Sequence, residues 1–367
     1  MTEPCARERR LLRLLEAARQ LANPTTKAGN SLRRRLQESS GLSPAGIELG
    51  LERCLETQPT QQALASLLAK VPEAPASHVL LSANVFVAAL RAIAIGVVAS
   101  PRVLVRASRR DPVLAEALHE LAPELFELVR DLLPQAGDHV WAYGSDPTLA
   151  EVRASLPTGV HFHAHGSGMG VVVVEARPGR DVLAEARAIA LDAALFDQRG
   201  CLSPRMVCVL GSHDRALELA QALASALVML EEKLPLGAQS NEEMAEVRRF
   251  RDTASYAFEL LEAGSGGVSL SQSPQLLLPP PGRNLHVAGV GDVIQALKPF
   301  ERHVTCIGQS ASEALRARLA LAFPHARHAE LGKMQSPPLD GPVDWRPPAY
   351  GELLGSNLFP IRNRASL

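Results

Sequence analysis

The chain has 367 residues, 46% hydrophobic and 21% charged, with a formal net charge of −1. That size and apolar content suit a globular protein with two sizeable cores, and the balanced charge gives no case for a nucleic-acid or membrane-surface partner. The opening "MTEPCARERR" lacks the apolar stretch of a signal peptide, and the most apolar run, Val85 to Val98, contains Arg91 and is too short to cross a bilayer.

The first 70 residues read as helices. "RERRLLRLLEAARQLA" places Leu11, Leu12, Leu14, Leu15 and Ala18 on one broad face with arginines opposite. The arginines of "RERR" and of "SLRRRLQ" (31–37) read as solvated faces. Pro72 and Pro75 mark a break, after which strands and helices alternate. "HVLLS" (78–82) reads as a strand, "NVFVAALRAIAIGVV" as a helix and "RVLVRA" (102–107) as a strand. "DPVLAEALHELAPELFELVRDLL" reads as one helix with Asp111 as N-cap and Pro112 at the first helical position. "HVWAYG" (139–144) is a strand, followed by the helix "DPTLAEVRASL". This alternation predicts a parallel sheet covered by helices on both faces.

The continuous apolar run "GVVVVEA" predicts a buried strand. A helix from Arg180 to about Phe196 follows, then the segment around Cys201 and a strand over 205–210. Ser212 is placed to cap the helix "HDRALELAQALASALVML". Ser240 and Glu243 form a capping-box signature for a helix ending near Gly264. "SQSPQLLLPPPGRN" (271–284) reads as a connector, and "HVTCIG" with "SEALRARLALAF" as a last strand and helix. The final 35 residues are proline-rich, a candidate crossing arm or oligomer contact.

Glycine and histidine clusters offer weak signals. The glycines of "HGSGMG" (165–170) precede a strand, whereas a dinucleotide fingerprint places them after one, at the start of a helix. "AGVGD" (288–292) is weaker still. "HFHAHG" puts His161, His163 and His165 on one face of an extended segment, but no nearby carboxylate or cysteine completes a zinc set, and no metal is expected. The five cysteines are scattered and odd in number, which points to a reducing cytoplasm. Cys208 sits in the apolar strand "MVCVL" and reads as a core residue. Cys201, after Gly200 in a loop-like segment, is placed to face a cleft.

Three stretches carry a family resemblance: "SANVFVAALRAIAIGVVASPRVLVRASRRDP", "YGSDPTLAEVR" and "FDQRGCLSPRMVCV". Their order and spacing resemble the aldehyde dehydrogenase superfamily, and within it the acyl-CoA reductases related to the bacterial luminescence fatty-acid reductase. "LGKMQSPPLDGPVDW", from Leu331, is similar to that family's C-terminal region. The resemblance implies an α/β, aldehyde-dehydrogenase-like fold with two parallel α/β domains. Residues 1–170 would hold N-terminal helices and a nicotinamide-binding domain, 171–345 the domain with the nucleophilic cysteine, and 346–367 a C-terminal arm.

The same resemblance makes Cys201 the nucleophile on an acyl thioester, carried by CoA or an acyl-carrier protein. Asn84 would join the Cys201 backbone N–H in an oxyanion hole; its other reading is a helix N-cap. The family's water-activating glutamate is missing from "HAHGSG", which suits a reductase. His163 falls at that place, as a proton donor or as a packing residue. Arg106, Ser108 and Arg109 would bind the adenosine side of NADPH, with Arg109 on the 2′-phosphate, and Gly144 and Ser145 would meet the cofactor at a helix start. The implied activity is NADPH-dependent reduction of an acyl thioester to an aldehyde by a homo-oligomer. A non-catalytic scaffold and a cysteine acyltransferase or thioesterase remain as alternatives.

Overall fold

A computed structural model describes residues 5–341; the expected C-terminal arm, 346–367, lies outside them. Four helices come first: α1 (Ala6–Ala22), α2 (Lys27–Ser39), α3 (Pro44–Arg53) and α4 (Gln61–Lys70). Leu11, Leu14, Leu15, Ala18 and Leu21 of α1 are buried, as the helical period requires. The arginines opposite are not simply solvated. Arg7 and Arg10 donate to the Val98 and Val97 carbonyls at 2.9 and 2.8 Å. Buried Arg33 donates to the Leu21, Ala22 and Gly29 carbonyls and pairs with Glu48 at 2.7 Å. Apart from Gly29, in the first turn of α2, these carbonyls lie in the last turns of α5 and α1, where they have no intrahelical partners, so the basic runs fasten the helical layer to its neighbours.

The first sheet follows: β1 (Ser77–Leu80), α5 (Ala88–Ala99), β2 (Val103–Arg106), α6 (Val113–Leu121), β3 (Glu127–Leu128), β4 (His139–Tyr143), α7 (Asp146–Ser155) and β5 (His161–His165). The strands are parallel in the order β3-β2-β1-β4-β5. The helix expected from Asp111 to 133 ends at Leu121. Ala122 precedes Pro123, which disfavours helical backbone at Ala122 (φ −142°, ψ 60°), and the chain re-enters the sheet as β3. The helix expected from Asn84 begins only at Ala88.

The second sheet comprises β6 (Met169–Glu175), α8 (Val182–Ala194), β7 (Pro204–Leu210), α9 (His213–Glu231), α10 (Asn241–Ala257), β8 (Glu259–Ala263), β9 (Gly266–Ser271), β10 (Asn284–Val290), α11 (Val293–Leu297), β11 (Val304–Ser310), α12 (Glu313–Ala322) and β12 (Arg327–Glu330). Its order is β12-β11-β6-β7-β10-β9-β8, parallel except for the β8–β9 pair. Val172 and Val174 pack in the core with α8 and α9, while Val171 and Val173 pack in the core with α11 and α12. Burial on both faces is why this strand reads as an unbroken apolar run. The capping box at Ser240 and Glu243 is present. Its helix ends at Ala257 rather than near Gly264, because Gly264 (φ +67°) turns residues 259–263 back against β9. Ser212 occupies the N-cap position of α9 without a side-chain bond.

Candidate active site

Four of the five cysteines are poor candidates for a nucleophile. Cys5 is exposed at the start of α1. Burial pushes the Cys54 thiol up to about 11 and the Cys208 and Cys306 thiols up to about 12. Cys201 alone is half-buried, and it lines a cavity of about 110 Å³ between the two sheets. Val85, Val87 and Leu90 come to this cavity from the β1–α5 segment, Tyr143 from the end of β4, and Gln335 and Pro337 from beyond β12.

The turn that presents Cys201 is held unusually firmly. Phe196, Asp197 and Gln198 take positive φ of 54°, 50° and 65° in succession. Each L-residue in that region costs roughly 1–2 kcal/mol, so surrounding contacts must hold the turn. Phe196 packs edge-on to Phe86 at 5.7 Å. Asp197 pairs with Arg283 at 2.9 Å, with both side chains almost fully buried, and accepts from the Gly237 N–H at 3.0 Å. The Gln198 amide donates to the Pro204 and Asn284 carbonyls at 2.7 Å and accepts from the Asn284 N–H at 2.9 Å. All its amide atoms serve to fix backbone on either side of Cys201.

A second set of charges holds the wall opposite. Asp192 of α8 is fully buried and accepts from the Gly332 and Met334 N–H groups at 2.6 and 3.0 Å. Burial pushes its carboxyl up to about 7 against those two bonds. Arg91 of α5 donates to the Pro337, Pro338 and Leu339 carbonyls and pairs with Glu56 at 3.0 Å. Asp192, Glu56, Tyr143 and Gln335 are site residues that the sequence reading missed. Only Arg91 carried a signal, as a charge inside the most apolar helix.

Asn84 lies in the bend after β1, exposed and four residues before α5 begins. It makes no cap, since the N-cap position of α5 falls to Val87 without a side-chain bond. Its neighbour Val85 lines the Cys201 cavity, whereas Asn84 is not among the lining residues.

His163 stands elsewhere. Its ring stacks on Trp141 at 3.7 Å and its Nε2 meets His139 Nδ1 at 3.0 Å. Burial, then the neighbouring imidazoles, pull its pKa down to about 3. It is neutral at physiological pH and is not among the residues lining the Cys201 cavity, so it belongs to the packing of β4 on β5. His165 stacks at 4.4 Å on Tyr143, a residue that lines the cavity. Among the described residues no cluster of three or more His, Cys, Asp or Glu is arranged to hold a metal ion.

Arg106, Ser108 and Arg109 come together in a second groove of about 610 Å³ at the carboxyl edge of β2, where open α/β sheets bind ligands. Arg130 and Asp131 form its other wall, and Glu116 within it is paired with Arg35 at 2.6 Å. Two strands away on the same edge, Ser145 caps α7 by accepting from the Thr148 N–H at 3.4 Å, with Gly144 preceding it. Gly144 and Ser145 are not among the residues lining the arginine groove. A basic groove and a capped helix start on one sheet edge fit a dinucleotide, whose adenosine and diphosphate need separate anchors.

The acyl-CoA reductase (LuxC) family matches residues 7–337. No curated protein matches the chain in sequence. Among solved structures, an NAD-dependent benzaldehyde dehydrogenase from Corynebacterium glutamicum is similar with a TM-score of 0.71 at 14% identity, over 93% of this chain and 84% of that one. Aldehyde dehydrogenase 21 from Physcomitrella patens, solved with succinate, gives 0.68 at 15% identity over 89% and 78%. Succinic semialdehyde dehydrogenase from Streptococcus pyogenes, solved with NADP+, gives 0.65 at 11% identity over 90% and 82%. The aldehyde-dehydrogenase-like α/β fold expected from the sequence is therefore the fold of this chain. No helix among the described residues is long and apolar enough to cross a membrane.

Proposed function

Since the chain belongs to the acyl-CoA reductase (LuxC) family, matched over residues 7–337, and is an aldehyde-related oxidoreductase, we propose that it reduces an acyl thioester of CoA or an acyl-carrier protein to the aldehyde, with NADPH as reductant. The observation that carries this reading is that Cys201, the one half-buried thiol, lines a cavity to which segments flanking both sheets contribute.

The Cys201 thiolate attacks the thioester carbonyl. The carbon–sulfur bond to the carrier then breaks, the carrier thiol leaves with a proton, and Cys201 holds the acyl group. Negative charge on the carbonyl oxygen is met by the Cys201 backbone N–H and the Asn84 side-chain amide, the pair proposed as oxyanion donors. Arg109 and Ser108 would hold the 2′-phosphate, Arg106 the ribose, and Gly144 with Ser145 the diphosphate, since the first three line one groove and Ser145 caps a helix on the same sheet edge. When bound, the dinucleotide supplies the hydride that reduces the acyl carbon. Collapse of the resulting hemithioacetal alkoxide on Cys201 frees the aldehyde and restores the thiolate. Val85, Val87 and Leu90 line the cavity with apolar surface, which limits water at the acyl-enzyme. No glutamate stands in "HAHGSG" to activate water for hydrolysis.

The test follows nicotinamide fluorescence after acyl-CoA is added to the protein with NADPH. A fall matched by aldehyde formation is expected. Acyl release without nicotinamide oxidation would identify an acyltransferase or thioesterase instead, and no change in either would identify a scaffold.

A further inference from the structure

Residues 332–340 form a strap that runs from the end of β12 past α8 to α5 and α4. Asp192 takes two of its N–H groups, and Arg327 donates to the Met334 carbonyl and to the Ser336 carbonyl at 2.8 Å. Arg91 then takes three carbonyls from Pro337 to Leu339, and Lys70 reaches the Asp340 carbonyl at 2.9 Å. Three buried charges spent on one irregular segment far exceed what a surface connection needs, since each unpaired buried charge is costly.

One side chain of the strap points at the nucleophile's turn. Gln335 is buried, and its Nε2 donates to the Asp192 carbonyl at 3.0 Å and to the Ser203 hydroxyl at 2.8 Å. Ser203 is also buried, and its N–H donates to the Gly200 carbonyl at 3.1 Å. These bonds close the short loop Gly200–Ser203 around Cys201. Space there is minimal: a Cβ on Gly200 would lie 3.0 Å from Val85 and 3.6 Å from Gln335 Oε1. Gln335 itself lines the Cys201 cavity.

We infer that Gln335 is the residue that positions the Cys201 turn against the cavity, and that Asp192 acts through the strap to hold Gln335 in place. This rests on Cys201 being the nucleophile. Gln335 is a positioning residue: it acts on the reaction through Ser203 and the loop, and its bonds need neither substrate nor cofactor to form.

The test uses the full chain and two variants. Gln335→Met keeps the side chain's length and apolar packing and removes the amide donor. Asp192→Asn weakens the anchor of the strap. Iodoacetamide labelling, mapped to Cys201 by peptide mass spectrometry and timed well below the melting transition, should slow at least about tenfold in Gln335→Met. In turnover, kcat should fall while KM for the acyl thioester and Kd for NADPH stay within about twofold, the pattern of an interaction that matters for the reacting geometry. Asp192→Asn should reproduce the effect, and the double variant should be no slower than the slower single, because both act through one chain of contacts. The Gln335→Met arm decides alone. A lower melting temperature with wild-type labelling and kcat would overturn the inference and leave Gln335 as packing. Failure of the wild-type protein to label at Cys201 or to turn over would overturn the proposed function along with it.

Discussion

Asp197→Ala strands the Arg283 guanidinium. The two side chains are 5% and 2% exposed and 2.9 Å apart, and the other contact of Arg283 is the Leu234 carbonyl at 2.6 Å. Removing one partner of a buried pair costs about 3–5 kcal/mol. The lost bond to the Gly237 N–H adds about 1 kcal/mol. Relaxation of the left-handed turn returns roughly 1–2 kcal/mol. The net loss is about 2–5 kcal/mol, read as a lower urea midpoint at unchanged slope by far-UV circular dichroism. Arg283→Met should lose a similar amount. The double variant Asp197→Leu with Arg283→Met should recover most of it, because no charge is left buried. A loss under about 1 kcal/mol in Asp197→Ala, or a double variant as unstable as the two singles summed, would refute the assignment of this pair as the brace of the Cys201 turn.

Other outcomes follow from single residues. Asn84→Ala should slow acyl transfer by roughly 10² to 10³ as an oxyanion donor is lost, with stability unchanged because Asn84 caps no helix; a fully active variant would remove it from the site. Arg109→Glu should raise the Kd for NADPH about tenfold, or 1.4 kcal/mol, and leave NADH binding unchanged, measured by nicotinamide fluorescence; equal loss of both would make Arg109 structural. A Cβ on Gly50 would lie 2.9 Å from the Phe196 ring and 3.1 Å from Phe86, so Gly50→Ala should lose about 1–3 kcal/mol by overpacking and slow Cys201 labelling, whereas a neutral effect would mean the rings shift freely. Burial lowers the His286 pKa to about 4 and that of His163 to about 3. Both are depressed below the unfolded value near 6.5, so the unfolded chain takes up protons first and stability drops as pH falls from about 6.5 to about 4. Urea midpoints across that range, with imidazole titrations by NMR, should show the fall; stability constant down to pH 4 would contradict it.

Much of the fold could be read because period and burial agree. Val171 to Val174 had to be a strand buried on both faces, and the helix–strand alternation implied parallel sheets. Two segments failed for a shared reason. "APELFEL" and "FELLEA" contain good helix formers, and local propensity cannot register the pairing of Leu128 with Val105 or of Leu261 with Val268. The proline at 123 was the overlooked cue. At the candidate site, motif order singled out Cys201, which lines a cavity, and Arg106, Ser108 and Arg109, which line one groove. The braces were not, since Asp192, Gln335, Arg283 and Gln198 act across separations of 86 residues or more. A charge within an apolar stretch, as at Arg91, is the one local sign of such a brace.

The central claim is that Cys201 carries the acyl group. Incubation with acyl-CoA in the absence of NADPH, followed by peptide mass spectrometry, tests it directly. The acyl mass should appear on the Cys201 peptide, be released by hydroxylamine, be absent in Cys201→Ala and persist in Cys208→Ala. Acylation that survives Cys201→Ala, or a wild-type chain that never acquires the adduct yet oxidises NADPH with acyl-CoA, would contradict the account.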